Sequence, residues 1–155
     1  MAKVNPIPAG YHSVTPYLII SGASDAIEFY KKAFGAIELF RMAGPDGKVG
    51  HAEIKIGDSP IMLADEHREM GHSSPTTLGG SPVSIMIYVD DVDTIFKQAI
   101  AAGGEEQKPL QDQFYGDRSG SLKDPFGHIW HVATHVEDVS PEEMEKRMAA
   151  AGQGN

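Results

Sequence analysis

Asp124-Pro125-Phe126-Gly127-His128-Ile129-Trp130-His131 decides the fold, because a turn and a strand meet in it. Proline pre-sets one backbone angle and glycine supplies a positive one without steric cost, so Asp124 to Gly127 reads as a tight turn. His128 to Thr134 then reads as a strand. Sixty-nine residues earlier, Gly57-Asp58-Ser59-Pro60 stands before Ile61-Met62-Leu63-Ala64, again a turn followed by a short apolar strand. In that register His131 falls on Met62 and Trp130 on Ile61.

The same shift organises the rest of the chain. Ser13 to Ile20 alternates and carries β-formers, so it predicts a strand. Ser24 or Asp25 can cap a helix running to Ala33, with Ile27, Tyr30, Ala33 and Phe34 on one apolar face and Gly35 as a left-handed end. Ala36 to Met42 and Val49 to Ile56 are strands joined across Gly44-Pro45-Asp46-Gly47, and Ile61 to Ala64 completes a β-α-β-β-β unit. The second unit has strands at Val83 to Val89, Glu106 to Leu110, Ser119 to Lys123 and His128 to Thr134. Its helix, Asp91 to Ala102, buries Ile95, Phe96, Ala99 and Ala102 and ends at Gly103-Gly104. Shifted by 69, Ile20, Ile27, Ala33 and Gly35 land on Val89, Phe96, Ala102 and Gly104, whereas Phe29 lands on Gln98.

These elements define a single α+β domain of two β-α-β-β-β repeats, 13–65 and 82–135. Residues 66–81, rich in Gly, Ser, Thr, Pro and charge, read as an exposed linker, and residues 1–12 as an extended arm. A C-terminal helix at 141–151 starts with a capping box, Ser140 with Glu143, and Pro141 at its first position. Its apolar content is methionine and alanine, which predicts loose docking and a frayed Gly152-Gln-Gly-Asn155 end.

Composition narrows the function. The chain has 155 residues, no cysteine and a net charge of −9. Disulfides, thiolate zinc sites and cysteine nucleophiles are excluded, and clustered basic residues for phosphate contacts are lacking, so no nucleic-acid partner is expected. No apolar run approaches the roughly 20 residues of a membrane helix, and Met1 to Ser13 does not read as a signal peptide, so a soluble, cytoplasmic protein is expected.

The two repeats, with Ala26-Ile-Glu-Phe-Tyr-Lys-Lys-Ala-Phe-Gly35 in the first helix and Asp124-Pro-Phe-Gly-His128 before the last strand, resemble the vicinal oxygen chelate superfamily. That superfamily includes glyoxalase I, bleomycin-resistance proteins, fosfomycin-modifying enzymes and extradiol dioxygenases. Thr15-Pro-Tyr-Leu18 and Asp112-Gln-Phe-Tyr-Gly-Asp-Arg118 look most like its PhnB-like branch. The resemblance implies curved mixed sheets around a ligand cavity, helices on their convex side, and a homodimer. Its metal-using members take four ligands from the first and fourth strands of each repeat, positions that hold Thr15, Met62, Ser84 and His131 here. A thioether and two hydroxyls beside one imidazole are a poor set for zinc, nickel or iron, so no metal is expected there.

Strand alternation sorts the remaining candidates. With Val83, Ile85, Ile87 and Val89 turned to the helix, Ser84, Met86 and Tyr88 face the cavity, as Thr15, Tyr17 and Ile19 do by the 69-residue shift. Likewise Ala52, Ile54 and Ile56 turn inward and leave His51, Glu53 and Lys55 opposite, with Met62 and His131 on that side too. Trp130 is expected in the core, and His128 to fix its turn. Tyr115 and Arg118, with Phe114, could line the cavity mouth and hold an anion; a surface Arg118 paired with Asp117 or Asp124 is the alternative.

Two functions fit this surface. The first is a small-molecule-binding protein without the usual metal, built on Tyr17, His51, Glu53, Met62, Ser84, Met86, Tyr88, Tyr115, Arg118 and His131. The second is a lyase, isomerase or dioxygenase, using acid–base chemistry by His51, Glu53 or His131 or a divalent metal shifted to those three residues. A dimeric interaction module with a vestigial pocket is a third reading.

Overall fold

The computed structural model describes residues 2–152, so the expected fraying of Gln153 to Asn155 lies outside the described residues. In chain order the elements are β1 (Tyr17–Ile20), α1 (Ala23–Phe34), β2 (Ile37–Ala43), β3 (Val49–Ile56), β4 (Ser59–Asp65), a 3-10 turn (Arg68–Met70), α2 (Pro75–Leu78), β5 (Ser84–Tyr88), α3 (Val92–Ala101), β6 (Glu105–Asp112), β7 (Asp117–Lys123), β8 (Ile129–His135) and α4 (Pro141–Gly152). They build an α+β fold of two four-stranded mixed sheets, ordered β1-β4-β3-β2 and β5-β8-β7-β6. In each, the first strand runs parallel to the last of its repeat, and the other pairs are antiparallel. Irregularities between Glu38 and Phe40, and between Glu106 and Lys108, lie in the edge strands β2 and β6, where bulges bend a sheet.

The register expected from the repeat is present: Tyr17 pairs with Met62, and Met86 pairs with His131. Ile27, Tyr30, Ala33 and Phe34 are buried on α1, as are Phe96 and Ala99 on α3. The two helices also meet across the repeats, since Gln98 of α3 donates its amide to the carbonyl of Ala33 at 3.1 Å. Trp130, wholly buried on β8, packs against Tyr30 and Phe34 of α1 with ring centroids 5.2 and 4.8 Å apart. The helix-facing sides of both sheets therefore share one core, and their opposite faces turn away from it.

The Asp124-to-Gly127 turn is the polar hinge of this core. Asp124 is buried and accepts hydrogen bonds at Oδ1 from the backbone N–H groups of Phe126 and His128. Its Oδ2 accepts from the Tyr30 hydroxyl at 2.6 Å and the Trp130 indole at 2.9 Å. Burial and the adjacent carboxylate push the Tyr30 phenol well above its usual range, so it stays a donor. His128 reaches beyond its own turn and bonds the carbonyl of Ile19 at 3.0 Å, a second link between repeats.

Three local expectations are corrected. Neither Ser24 nor Asp25 caps α1; Asp65, from the end of β4, accepts from the N–H groups of Gly22 and Ala23, so the cap comes from a distant strand. The segment 66–81, expected as an exposed linker, is mostly exposed but carries regular structure that its composition does not indicate. It folds into two short helical turns around Glu66, which accepts from the backbone N–H of Ser74 and the hydroxyl of Thr77. Those donors, led by the Ser74 N–H, hold the Glu66 carboxyl down to about 2. Val83 precedes β5 and is exposed rather than packed on the helix. Only half of the expected capping box of α4 forms: Glu143 N–H donates to Ser140 Oγ, the Glu143 carboxylate accepts from Arg147 instead, and the helix buries no residue. No helix among the described residues is long and apolar enough to cross a membrane.

Candidate functional site

The outward face of the first sheet is assembled by strand register. Tyr17 lies opposite Met62, Met62 opposite Glu53, and Glu53 opposite Phe40, while Met42 lies opposite His51. Because side chains alternate along each strand, these residues share the face opposite α1. Tyr17, Phe40 and Met42 are exposed.

Four of the polar groups here form one chain. The Tyr17 hydroxyl meets His51 Nδ1 at 2.9 Å, and His51 Nε2 meets Glu53 Oε1 at 3.2 Å. The other oxygen of Glu53 accepts from the Tyr11 hydroxyl. That hydrogen bond, and secondarily His51, holds the Glu53 carboxyl below its usual range, whereas Glu53 pushes the Tyr11 phenol up to about 12. His51 and Glu53, two residues apart on one face of β3, thus form a local pair. Tyr11 is the addition: the arm of residues 1–12 is not free along its whole length but lays this side chain against the sheet. No local pattern in the arm names its partner, because Glu53 lies 42 residues further along the chain.

The outward face of the second sheet carries Met86 beside His131, and His131 beside Ser121. His131 Nε2 and Ser84 Oγ are 3.1 Å apart. Tyr88, exposed on the same face, donates its hydroxyl to Asp117 at 2.8 Å, and the other Asp117 oxygen meets His135 Nδ1 at 2.8 Å. His135 Nε2 meets Asp138 at 2.8 Å. The Asp117 hydrogen bond raises the Tyr88 phenol, and Asp117 followed by Asp138 raises the His135 imidazole. Neither Asp117 nor His135 stands out in the sequence, because the pairing of Asp117 with His135 becomes visible only once β7 lies against β8.

Arg118 is a correction. It alternates to the helix side of β7, where its guanidinium holds Asp93 at the start of α3 at 2.8 Å and Asp112 at 3.2 Å. It pairs with neither Asp117 nor Asp124 and lies off the candidate surface. Tyr115 stays near it, stacked edge-on with Phe114 at 5.3 Å and close enough to Tyr88 to perturb that hydroxyl.

The four positions that hold metal in the resembled superfamily do not fit one here. Met62 sits beside Tyr17 on the first sheet, and Ser84 and His131 bond each other on the second. A thioether, two hydroxyls and an imidazole are too few strong donors for a divalent ion. The shifted set is not brought together within the chain either, since His51 and Glu53 are on the first sheet and His131 is on the second. Among the described residues no three His, Asp or Glu side chains are grouped to hold a metal.

Two such repeats thus share one core and present apolar faces dotted with hydroxyls and imidazoles. The chain belongs to the Glyoxalase/Bleomycin resistance protein/Dioxygenase superfamily, whose profile matches residues 11–132. An uncharacterised protein of Mycobacterium bovis is 43% identical over 145 residues, 92% of this chain and 95% of the relative. Among solved structures, protein PA1353 from Pseudomonas aeruginosa superposes with a TM-score of 0.66 at 25% identity, covering 81% of this chain and 99% of that one. A PhnB protein from Bacillus cereus gives 0.60 at 20% identity, covering 79% and 99%, a likeness of fold.

Proposed function

We propose that this protein binds a small, largely apolar molecule on the outward faces of its sheets, and that a second copy of the chain closes those faces into a pocket. The observation that carries this is the exposure of Tyr17, Phe40 and Met42 on one sheet and Met86 and Tyr88 on the other, while the helix sides are already used up in the shared core. Apolar patches of this kind, interrupted by a few convergent polar groups, are what ligand pockets and subunit interfaces use. A curved sheet cannot enclose a ligand alone, and a like surface on another copy gives a closed two-fold assembly. The reading is of a metal-free binding protein of the bleomycin-resistance kind, located in the cytoplasm, with no nucleic-acid partner.

A thermal-shift screen tests the binding claim, with phenols, catechols, phosphonates, dicarbonyl–glutathione adducts and aromatic antibiotics as probes. A probe at a hundred times its dissociation constant adds about 2.7 kcal/mol, which raises the melting temperature by roughly 5 °C or more. A shift from the aromatic probes without turnover supports the reading, and no shift from any class contradicts it.

A further inference from the structure

The polar chain on the first sheet ends in an accessible oxygen, and its internal order has a consequence for ligand chemistry. Glu53 is held ionised, and a carboxylate accepts only, so His51 Nε2 facing it at 3.2 Å carries a hydrogen. With Nε2 protonated, a neutral His51 presents the lone pair of Nδ1 to the Tyr17 hydroxyl at 2.9 Å. Tyr17 then donates to His51 and keeps its outer oxygen lone pair toward solvent, where the residue is 48% exposed. Tyr11 donates to the remaining carboxylate oxygen, which helps hold Glu53 toward His51.

We propose that Tyr17 and His51 form a proton-accepting subsite for an aromatic or conjugated ligand with a weakly acidic hydroxyl, a phenol or an enol, which is bound as its anion. This deepens the ligand-binding reading and rests on it. The transfer balances without any co-reactant. The ligand O–H bond breaks as its proton joins the Tyr17 oxygen; the original Tyr17 proton moves to His51 Nδ1; and the electron pair of the broken bond stays on the ligand oxygen. The products are a ligand anion, held by the Tyr17 hydroxyl, and an imidazolium flanked by Glu53.

The surroundings suit this ligand class. Across β2, His51 faces Met42 and Glu53 faces Phe40, and Met62 lies between Tyr17 and Glu53, so apolar and polarisable groups supply the platform for a ring. Phe40 also lies against the imidazole, with centroids 6.4 Å apart. No charged side chain faces His51 from β2 or β4. Lys55, two residues beyond Glu53 on the same face of β3, is the other charge on this side and favours an anion.

Para-nitrophenol is the probe, because its phenolate absorbs visible light and its phenol does not. On binding to the wild-type protein its apparent pKa is expected to fall by about 1 unit, the effect of placing the anion against a new positive charge. His51→Gln and Tyr17→Phe, each checked for an unchanged circular dichroism spectrum, are expected to bind the dye without that fall. Wild-type binding with an unchanged or raised dye pKa overturns this proposal and leaves the binding reading standing. The same fall in both variants also overturns it, as does failure of the dye to bind the wild-type protein, while the thermal-shift screen decides the binding reading separately.

Discussion

Tyr30 and Asp124 stand 94 residues apart in the chain and share a buried 2.6 Å hydrogen bond that ties α1 of the first repeat to the signature turn of the second. The same carboxylate oxygen accepts from Trp130, and its twin from two backbone N–H groups, so one side chain satisfies four donors. Among the described residues no buried side-chain nitrogen or oxygen is left without a partner.

Removing this acceptor is therefore costly. Asp124→Ala leaves the Tyr30 and Trp130 donors unpaired in the core, and a loss of about 3 kcal/mol is expected, since each unsatisfied buried group costs about 1–3 kcal/mol. At this chain length that lowers the melting temperature by roughly 10 °C. Urea unfolding measures it directly, and a loss below about 1 kcal/mol would show that the hinge does not hold the repeats together.

His135, pinned between Asp117 and Asp138, links stability to pH. Its imidazole is raised in the folded protein, so the folded state binds a proton more tightly than the unfolded chain. The stabilisation is complete below the unfolded value, about 6.5, and is lost as pH rises through the raised folded value. Because His135 is half exposed, solvent screening keeps the effect small. Melting curves across that window should show wild-type stability declining with pH more than that of His135→Gln. Parallel curves for the two proteins would remove His135 from the account.

The metal expectation is tested on protein purified without a histidine tag. Elemental analysis should find no stoichiometric metal, and added Zn²⁺, Ni²⁺, Mn²⁺ or Fe²⁺ should leave the melting temperature unchanged, because the family positions hold Thr15, Met62, Ser84 and His131. A tightly bound stoichiometric ion would contradict the metal-free reading.

How much of this is legible in the sequence depends on the range of the interaction. Strand alternation and the 69-residue repeat are local or periodic, and they place Tyr17, Met62, Met86, Tyr88 and His131 on the outward faces, as the observed registers do. The α1 cap by Asp65 and the docking of Tyr11 on Glu53 are contacts over about forty residues, and no local pattern announces them. Arg118 sits next to Asp117 in sequence, yet alternation sends the two to opposite faces of β7. A partner guessed from proximity along the chain is therefore wrong for it.

Phe40→Asp and Met86→Asp place a charge on the faces proposed to meet. Sedimentation should show a dimer for the wild-type protein at micromolar concentration and a shift toward monomer for both variants, since an unpaired buried charge opposes association. A wild-type monomer would contradict the two-copy pocket.

The most direct measurement uses the methionine methyl groups as reporters. In the isolated chain Met42 and Met86 on the outward faces are 59% and 43% exposed, and Met70 and Met148 elsewhere are 68% and 57% exposed. With an inert paramagnetic gadolinium chelate in solution, a two-copy pocket predicts that the Met42 and Met86 methyl resonances stay protected while those of Met70 and Met148 broaden. Equal broadening of all four would show that the outward faces are free in solution and contradict the account.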